Sequence, residues 1–217
     1  MNNAIDSTPD PRGMLDLMSQ TRRATVRRQN RRYAGLVALW AVAWAVGFGA
    51  LWATRDVGAL TLLSPAAGWI AFAASLVVAI VVSFIVGVAA AHDGVRGPSH
   101  LQGALYGCSW PIAMIAASLL LGGLQRNGMP PELANLAYPG IYIFLVGVIY
   151  LVSGALWRAV PMYLLGAALI LTTVVATFAG TPTHYLIYAT VAPAAMLVVA
   201  ALMLWGPLRG DGQGAAS

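Results

Sequence analysis

The chain alternates long apolar runs with short polar breaks. Six runs reach the length of a membrane span: Tyr33 to Ala53, Gly68 to Ala91, Gly103 to Leu124, Tyr138 to Trp157, Val160 to Ala179 and Leu186 to Trp205. Crossing about 30 Å of hydrocarbon at about 1.5 Å per helical residue takes about 20 residues. Runs this continuous predict helices, because barrel strands would read as segments of about ten residues with strict alternation. Tyr33, Trp52, Trp69, Tyr138, Trp157, Tyr185 and Trp205 fall near the ends of the runs, where aromatic rings favour the membrane interface. The pattern predicts an all-α, polytopic membrane helix bundle with six transmembrane helices. Residues 1–32 form a basic arm, 33–205 the membrane domain and 206–217 a tail. The first run is longer than the core of a cleavable leader and follows a hydrophilic arm, so it is expected to remain as a helix.

Composition agrees with this. Of 217 residues, 59% are hydrophobic and 9% charged, against about 25% charged in soluble domains. All the basic residues are arginine, and their placement sets an orientation. Arg12, Arg22, Arg23, Arg27, Arg28, Arg31 and Arg32 lie in the arm. With the arm inside, Arg96, Arg158 and Arg209 are inside too, and only Arg55 and Arg126 are outside. Positive residues stay on the cytoplasmic face, so the expectation is a multi-pass cell-membrane protein with both termini cytoplasmic. The arm places Met14, Leu15 and Met18 at helical spacing before paired arginines. It reads either as a helix on anionic lipid at the cytoplasmic face or as a topogenic arm alone. A basic run beside a span needs no nucleic acid to explain it. The single Cys108 forms no internal disulfide, and no Cys/His spacing suggests a metal or cofactor.

Polar chemistry gathers in the turn after the second run, "AHDGVRGPSHLQGALYGCSWP". Ser99 and Gln102 make an S-x-x-Q capping box, and Gly94, Gly97 and Pro98 supply the turn. Arg96, Ser99 and His100 then flank a helix N-terminus, a candidate cytoplasmic anion site for a lipid phosphate or a phosphorylated solute. The alternative is a capped turn and nothing more.

The "GVRGPS" turn with "GALYGCSW", "GALWRAVPMYLLG" and "GTPTHYLIYA" resembles a family of uncharacterised six-helix integral membrane proteins from actinobacteria, often labelled only as hypothetical proteins or as candidate transporters. The resemblance runs from about Leu17 to Trp205. It implies the six-span architecture and points toward transport; the family has no assigned chemistry, so no residue role follows.

Several functions are disfavoured. No acidic residue lies within the expected runs, whereas proton-coupled carriers bury a carboxylate. There is no phosphate-binding loop and no H-E-x-x-H, and no enzyme is expected. Ser75, Ser83, Ser118, Tyr142, Tyr150, Thr172, Thr173 and Thr177 are the soft polar groups of the runs. Such groups mostly bond their own helix or join helices. Gly103 and Gly107 form a G-x-x-x-G pattern that permits close helix approach.

The two halves echo one another. Tyr106, Pro111, Ala113 and Met114 repeat as Tyr188, Pro193, Ala195 and Met196, and "GALW" occurs at 49–52 and 154–157. Three spans per half would invert the halves, which raises a 3+3 inverted repeat. Each proline frees the carbonyl four residues back, Gly107 or Ala189. Either a neighbouring hydroxyl satisfies it, or the two kinks face each other across a midplane site of Tyr106, Gly107, Ser109, Pro111, Tyr188, Ala189, Thr190 and Pro193. The leading expectation is a small-solute transporter, or a membrane subunit served by a separate ATPase. The rival is a non-catalytic scaffold or sensor whose arm and loops bind a cytoplasmic regulatory protein.

Overall fold

The computed structural model describes residues 11–55, 62–91 and 98–205. It is all-helical there: α1 (Pro11–Ala53), α2 (Pro65–Ala91), α3 (Pro98–Arg126), α4 (Pro131–Leu156), α5 (Val160–Ala179) and α6 (Thr183–Trp205). Each is long and apolar enough to cross a membrane, and the chain is an integral membrane protein of the helical-bundle class. α1, α2, α3 and α4 all begin on proline. At the first helical position its fixed φ is already helical and its missing amide would have no partner anyway.

Two turns close on the same hydrogen-bond device. After α3, the amides of Gly128 and Met129 return to the carbonyls of Gln125 and Leu124, with Gly128 at φ 95°. After α4, the amides of Arg158 and Ala159 return to Ala155 and Gly154, with Arg158 at φ 52°. In both, a left-handed residue after the helix turns the chain back and satisfies the last carbonyls.

α1 is longer than its membrane run, because the polar arm from Pro11 joins the span as one helix of 43 residues. Met14, Leu15, Leu17 and Met18 lie exposed on this extension.

The helices pack in the order α2–α1–α6–α5–α4–α3, each on its neighbours. The core lies among α1, α4, α5 and α6. Phe48 is its hub, with ring centroids 5.2 Å from Phe72, 5.3 Å from Tyr188 and 6.0 Å from Trp44. α2 and α3 are peripheral: 6% and 11% of their most apolar stretches are buried, against 44% for α1. Their exposed Val78, Ile80, Phe84, Ile112, Ile115 and Leu119 suit acyl chains.

Small residues set the closest approach. A methyl group at Gly154 would overlap the Tyr163 backbone, and one at Gly166 would overlap that of Leu151, so α4 and α5 meet backbone to backbone. Without a hydrophobic drive between helices in lipid, such van der Waals contact is what holds them. The expected close approach at Gly103 and Gly107 is not seen: nothing lies within 4 Å of a methyl at either position. That face of α3 turns away from its neighbour. The soft polar groups behave as expected. Ser75, Thr172, Thr173 and Thr177 donate to carbonyls of their own helices. Ser83 accepts from Trp40 Nε1 at 3.0 Å, and Ser118 bonds both Met114 and the Tyr142 hydroxyl.

Candidate functional site

One polar cluster sits where the C-termini of α1 and α5 meet the N-termini of α4 and α6. Its cause lies in α4. Pro139 has no amide, so the carbonyl of Asn135 loses its helical donor. In hydrocarbon a bare carbonyl costs several kcal/mol. His184, fully buried at the head of α6, places Nε2 3.2 Å from that oxygen. Its Nδ1 lies 3.2 Å from the Gly180 carbonyl, which the His184 amide already reaches at 2.9 Å. A neutral imidazole donates from one nitrogen. The Gly180 carbonyl already has an amide donor, so the tautomer protonated at Nε2 is the one that serves both carbonyls. The ring thus ties α6 to α4 across 49 residues of sequence.

Beside it stand Tyr185 and Tyr188. The Arg55 guanidinium carbon lies 5.5 Å from the Tyr185 ring centroid, in the range of a cation–π contact, while its buried Nε has no hydrogen-bond partner. Tyr188 is fully buried, and its hydroxyl also lacks a partner. Thr173 and Thr177 lie next to it, but each has given its proton to its own helix, and neither oxygen stands at full hydrogen-bond geometry to the phenol. Gly140 leaves a notch here: a methyl group on it would lie 3.6 Å from the Tyr188 oxygen and 3.8 Å from Thr177 Oγ1. A buried, unpaired hydroxyl facing a glycine notch is the strongest candidate contact for a polar ligand, since such groups are rarely left unmatched.

The second feature is a seam between α3 and α4. From one end to the other, Tyr138 donates to Gln125 Oε1 at 2.9 Å, Tyr142 meets Ser118, Trp110 meets the Tyr150 ring at 5.5 Å, and Tyr106 meets Trp157 at 4.7 Å. The last two pairs are edge-to-face, the arrangement that ring quadrupoles favour. At the Tyr106 end the seam opens into a shallow groove lined by Leu101, Gln102, Leu105, Tyr106, Ser109, Leu156 and Trp157.

The eight residues of the expected midplane site therefore fall into two places. Tyr106, Gly107, Ser109 and Pro111 lie on α3, which packs on α4; Tyr188, Ala189, Thr190 and Pro193 lie on α6, which packs between α1 and α5. Pro111 is exposed and Pro193 buried, so the two kinks do not share a surface. Ser109 and Thr190 donate to Tyr106 O and Leu186 O, not to the carbonyls that the prolines free. At the expected anion site, Arg96 lies outside the described residues, as do the side chains of Ser99 and His100. α3 begins at Pro98, which puts Ser99 inside the first turn.

Sequence reasoning missed Pro139 and its link to His184. The available signal was a third proline inside a span. Among the described residues, no group of His, Cys, Asp and Glu is arranged to hold a metal. No protein-family model, curated protein or solved structure matches the chain.

Proposed function

We propose that this integral membrane protein is a non-enzymatic carrier for a small solute, built as a 3+3 inverted repeat. The observation that supports the reading is that helix pairings recur in part between the halves, α3 being the more loosely held member. α2 on α1 corresponds to α5 on α4, and α6 on α1 corresponds to α3 on α4. Tyr188 packs on Phe48 and Tyr106 on Trp157, each an aromatic contact with the C-terminal part of the facing helix, one turn apart in the matched numbering. The sequence adds a few matching positions. Asn30, Tyr33 and Gly35 of α1 correspond to Asn135, Tyr138 and Gly140 of α4. Ser75, Val77, Val78 and Ala79 of α2 correspond to Thr172, Val174, Val175 and Ala176 of α5. Ala79 and Ala176 are both fully buried.

In inverted-repeat carriers one unit rocks against the other around a site between them. The Tyr188 hydroxyl, the Gly140 notch, Thr173 and Thr177 offer hydroxyl chemistry and no charge. Among the described spans the one acidic side chain, Glu132, sits in the first turn of α4. The solute class that fits is small, polar and uncharged. The arginine bias orients the His184 cluster outward and the Tyr106 groove toward the cytoplasm. Proteoliposomes loaded with labelled polyols, monosaccharides or nucleosides test the reading. Saturable flux above empty liposomes, reduced by Tyr188→Phe, supports it. Flux equal to empty liposomes for every class defeats it.

A second reading, a scaffold or sensor, draws on α1. One helix joins the exposed Met14, Leu15, Leu17 and Met18 to Phe48, beside the outer cluster. Its basic extension suits anionic lipid, or a cytoplasmic regulatory or ATPase partner. A helical arm that binds such a partner in a protein without flux would favour this reading.

A further inference from the structure

The groove at the Tyr106 end of the α3–α4 seam opens on the lipid side of the bundle. It measures about 390 Å³, within the range of about 300–1,000 Å³ found for ligand pockets. Leu101, Leu105 and Leu156 line it and are 62%, 63% and 61% exposed, so their side chains meet acyl chains rather than protein. Ser109 adds little polarity, because its hydroxyl already donates to the Tyr106 carbonyl. The groove exists because α3 and α4 part toward this end. Farther along α3, Leu121 is fully buried and Gln125 reaches Tyr138. Here a methyl at Gly103 or Gly107 would meet nothing.

A charge stands at the mouth. Leu156 ends α4, Trp157 follows, and Arg158 comes next in the turn at φ 52°. A left-handed position after a helix favours glycine, yet this one carries an exposed arginine. Neither described acidic residue neutralises it. Glu132 is in the first turn of α4, roughly 40 Å away along the helix. Asp16 is on the arm, roughly 20 Å beyond the start of the α1 span.

We propose that this groove holds one anionic phospholipid, with its phosphate on Arg158 and one acyl chain between α3 and α4. An apolar trench alone would take any chain of the bilayer, and a cation alone any anion. The groove joins the two where a phospholipid passes from head to chain, a depth that suits the amphipathic Trp157 indole. Leu101 to Ser109 gives about 12 Å of wall, against about 15 Å of hydrocarbon in one leaflet. With the orientation drawn from the arginines, the site faces the cytoplasmic leaflet, whose anionic lipids enter basic pockets between helices. A chain bound there fills the gap beside α3 and fastens a helix that packs only on α4. The site requires no solute, so it stands apart from the carrier reading.

The experiment reads lipid at the groove in the full chain, reconstituted in equal parts of phosphatidylglycerol and phosphatidylcholine. The background is Cys108→Ala. A bimane fluorophore on Ile112→Cys, one turn beyond Ser109, reports the groove. A bimane on Val78→Cys, at similar depth on α2, reports ordinary bilayer lipid. Both positions are exposed. Bromine on the acyl chains of one lipid or the other quenches the fluorophore. At Ile112 the brominated phosphatidylglycerol should be preferred about fivefold, the weight of one arginine near an anionic surface. At Val78 the two lipids should quench alike. Arg158→Gln should abolish the preference and Arg158→Lys should keep it. Ser109→Phe, which fills the groove and spares the cation, should abolish it too. Unchanged quenching at Val78 in each variant shows that the variant is inserted and folded. Equal quenching by the two lipids at Ile112 overturns the proposal. So does a preference that Val78 shares, which would mark general attraction to a basic protein. A preference that survives Arg158→Gln or Ser109→Phe overturns it as well.

Discussion

The imidazole Nε2 of His184 stands 3.2 Å from the carbonyl oxygen of Asn135, the oxygen that Pro139 strips of its helical donor. The two elements answer each other: a proline creates an acceptor in the membrane, and a histidine from another helix takes it. Removing the histidine alone leaves a buried carbonyl bare, which costs about 1–3 kcal/mol. His184→Phe should therefore lower stability by about that amount in a detergent unfolding titration. Pro139→Ala restores the amide. In that background the same histidine substitution should cost less than half as much. Equal costs in the two backgrounds would show that the histidine does not serve this carbonyl.

The glycines divide into two groups with opposite expectations. Gly154→Ala and Gly166→Ala drive a methyl into the backbone of the facing helix and should separate α4 from α5, with losses of about 2 kcal/mol or more. Gly103→Ala and Gly107→Ala meet open space and should be neutral or should gain up to about 1 kcal/mol from helix propensity. Unfolding of the four single variants side by side checks this ordering.

Tyr188→Phe separates stability from function. The lost hydroxyl has no hydrogen-bond partner, so the fold should hold or gain about 1 kcal/mol. Gly140→Ser should also stabilise, because its hydroxyl can reach the Tyr188 oxygen across the notch. Both should reduce solute flux. A Tyr188→Phe protein that is clearly destabilised would mean that the hydroxyl is already satisfied.

Orientation is checked by labelling. In a Cys108→Ala background, a cysteine at Asn127 should react with a membrane-impermeant maleimide added to intact cells, and one at Ser99 should react only after lysis. Reaction at Ser99 in intact cells would reverse the orientation drawn from the arginines.

The six spans were legible because a span needs only length and apolarity, and both stand in the sequence. The start of α1 was less so. Its arm is polar, and the spacing of Met14, Leu15 and Met18 hinted at a helix without showing that it runs unbroken into the span. The candidate site was half legible. Tyr106, Pro111, Tyr188 and Pro193 drew attention because they echo. Pro139 has no echo, since Ala34 occupies its place in the first half. Its importance appears only when a histidine from another helix comes beside it. The Gly103 and Gly107 spacing permits close packing but does not say which helix will approach. The contacts that use this freedom lie at Gly154 and Gly166, fixed by the short turn between α4 and α5.

The rocking expected of an inverted-repeat carrier can be tested most directly by two spin-label distances in the reconstituted protein. The label pairs are Val78 with Ile112 and their counterparts Val175 with Ala194. All four positions are exposed, so labels there should not disturb packing. The second pair should give a dominant short distance, the signature of α6 packed on α5. The first pair should give two populations, the smaller one at the distance of the second pair. A first pair with a single long distance, unchanged across lipids and solutes, would contradict the account and leave a bundle whose halves merely resemble each other.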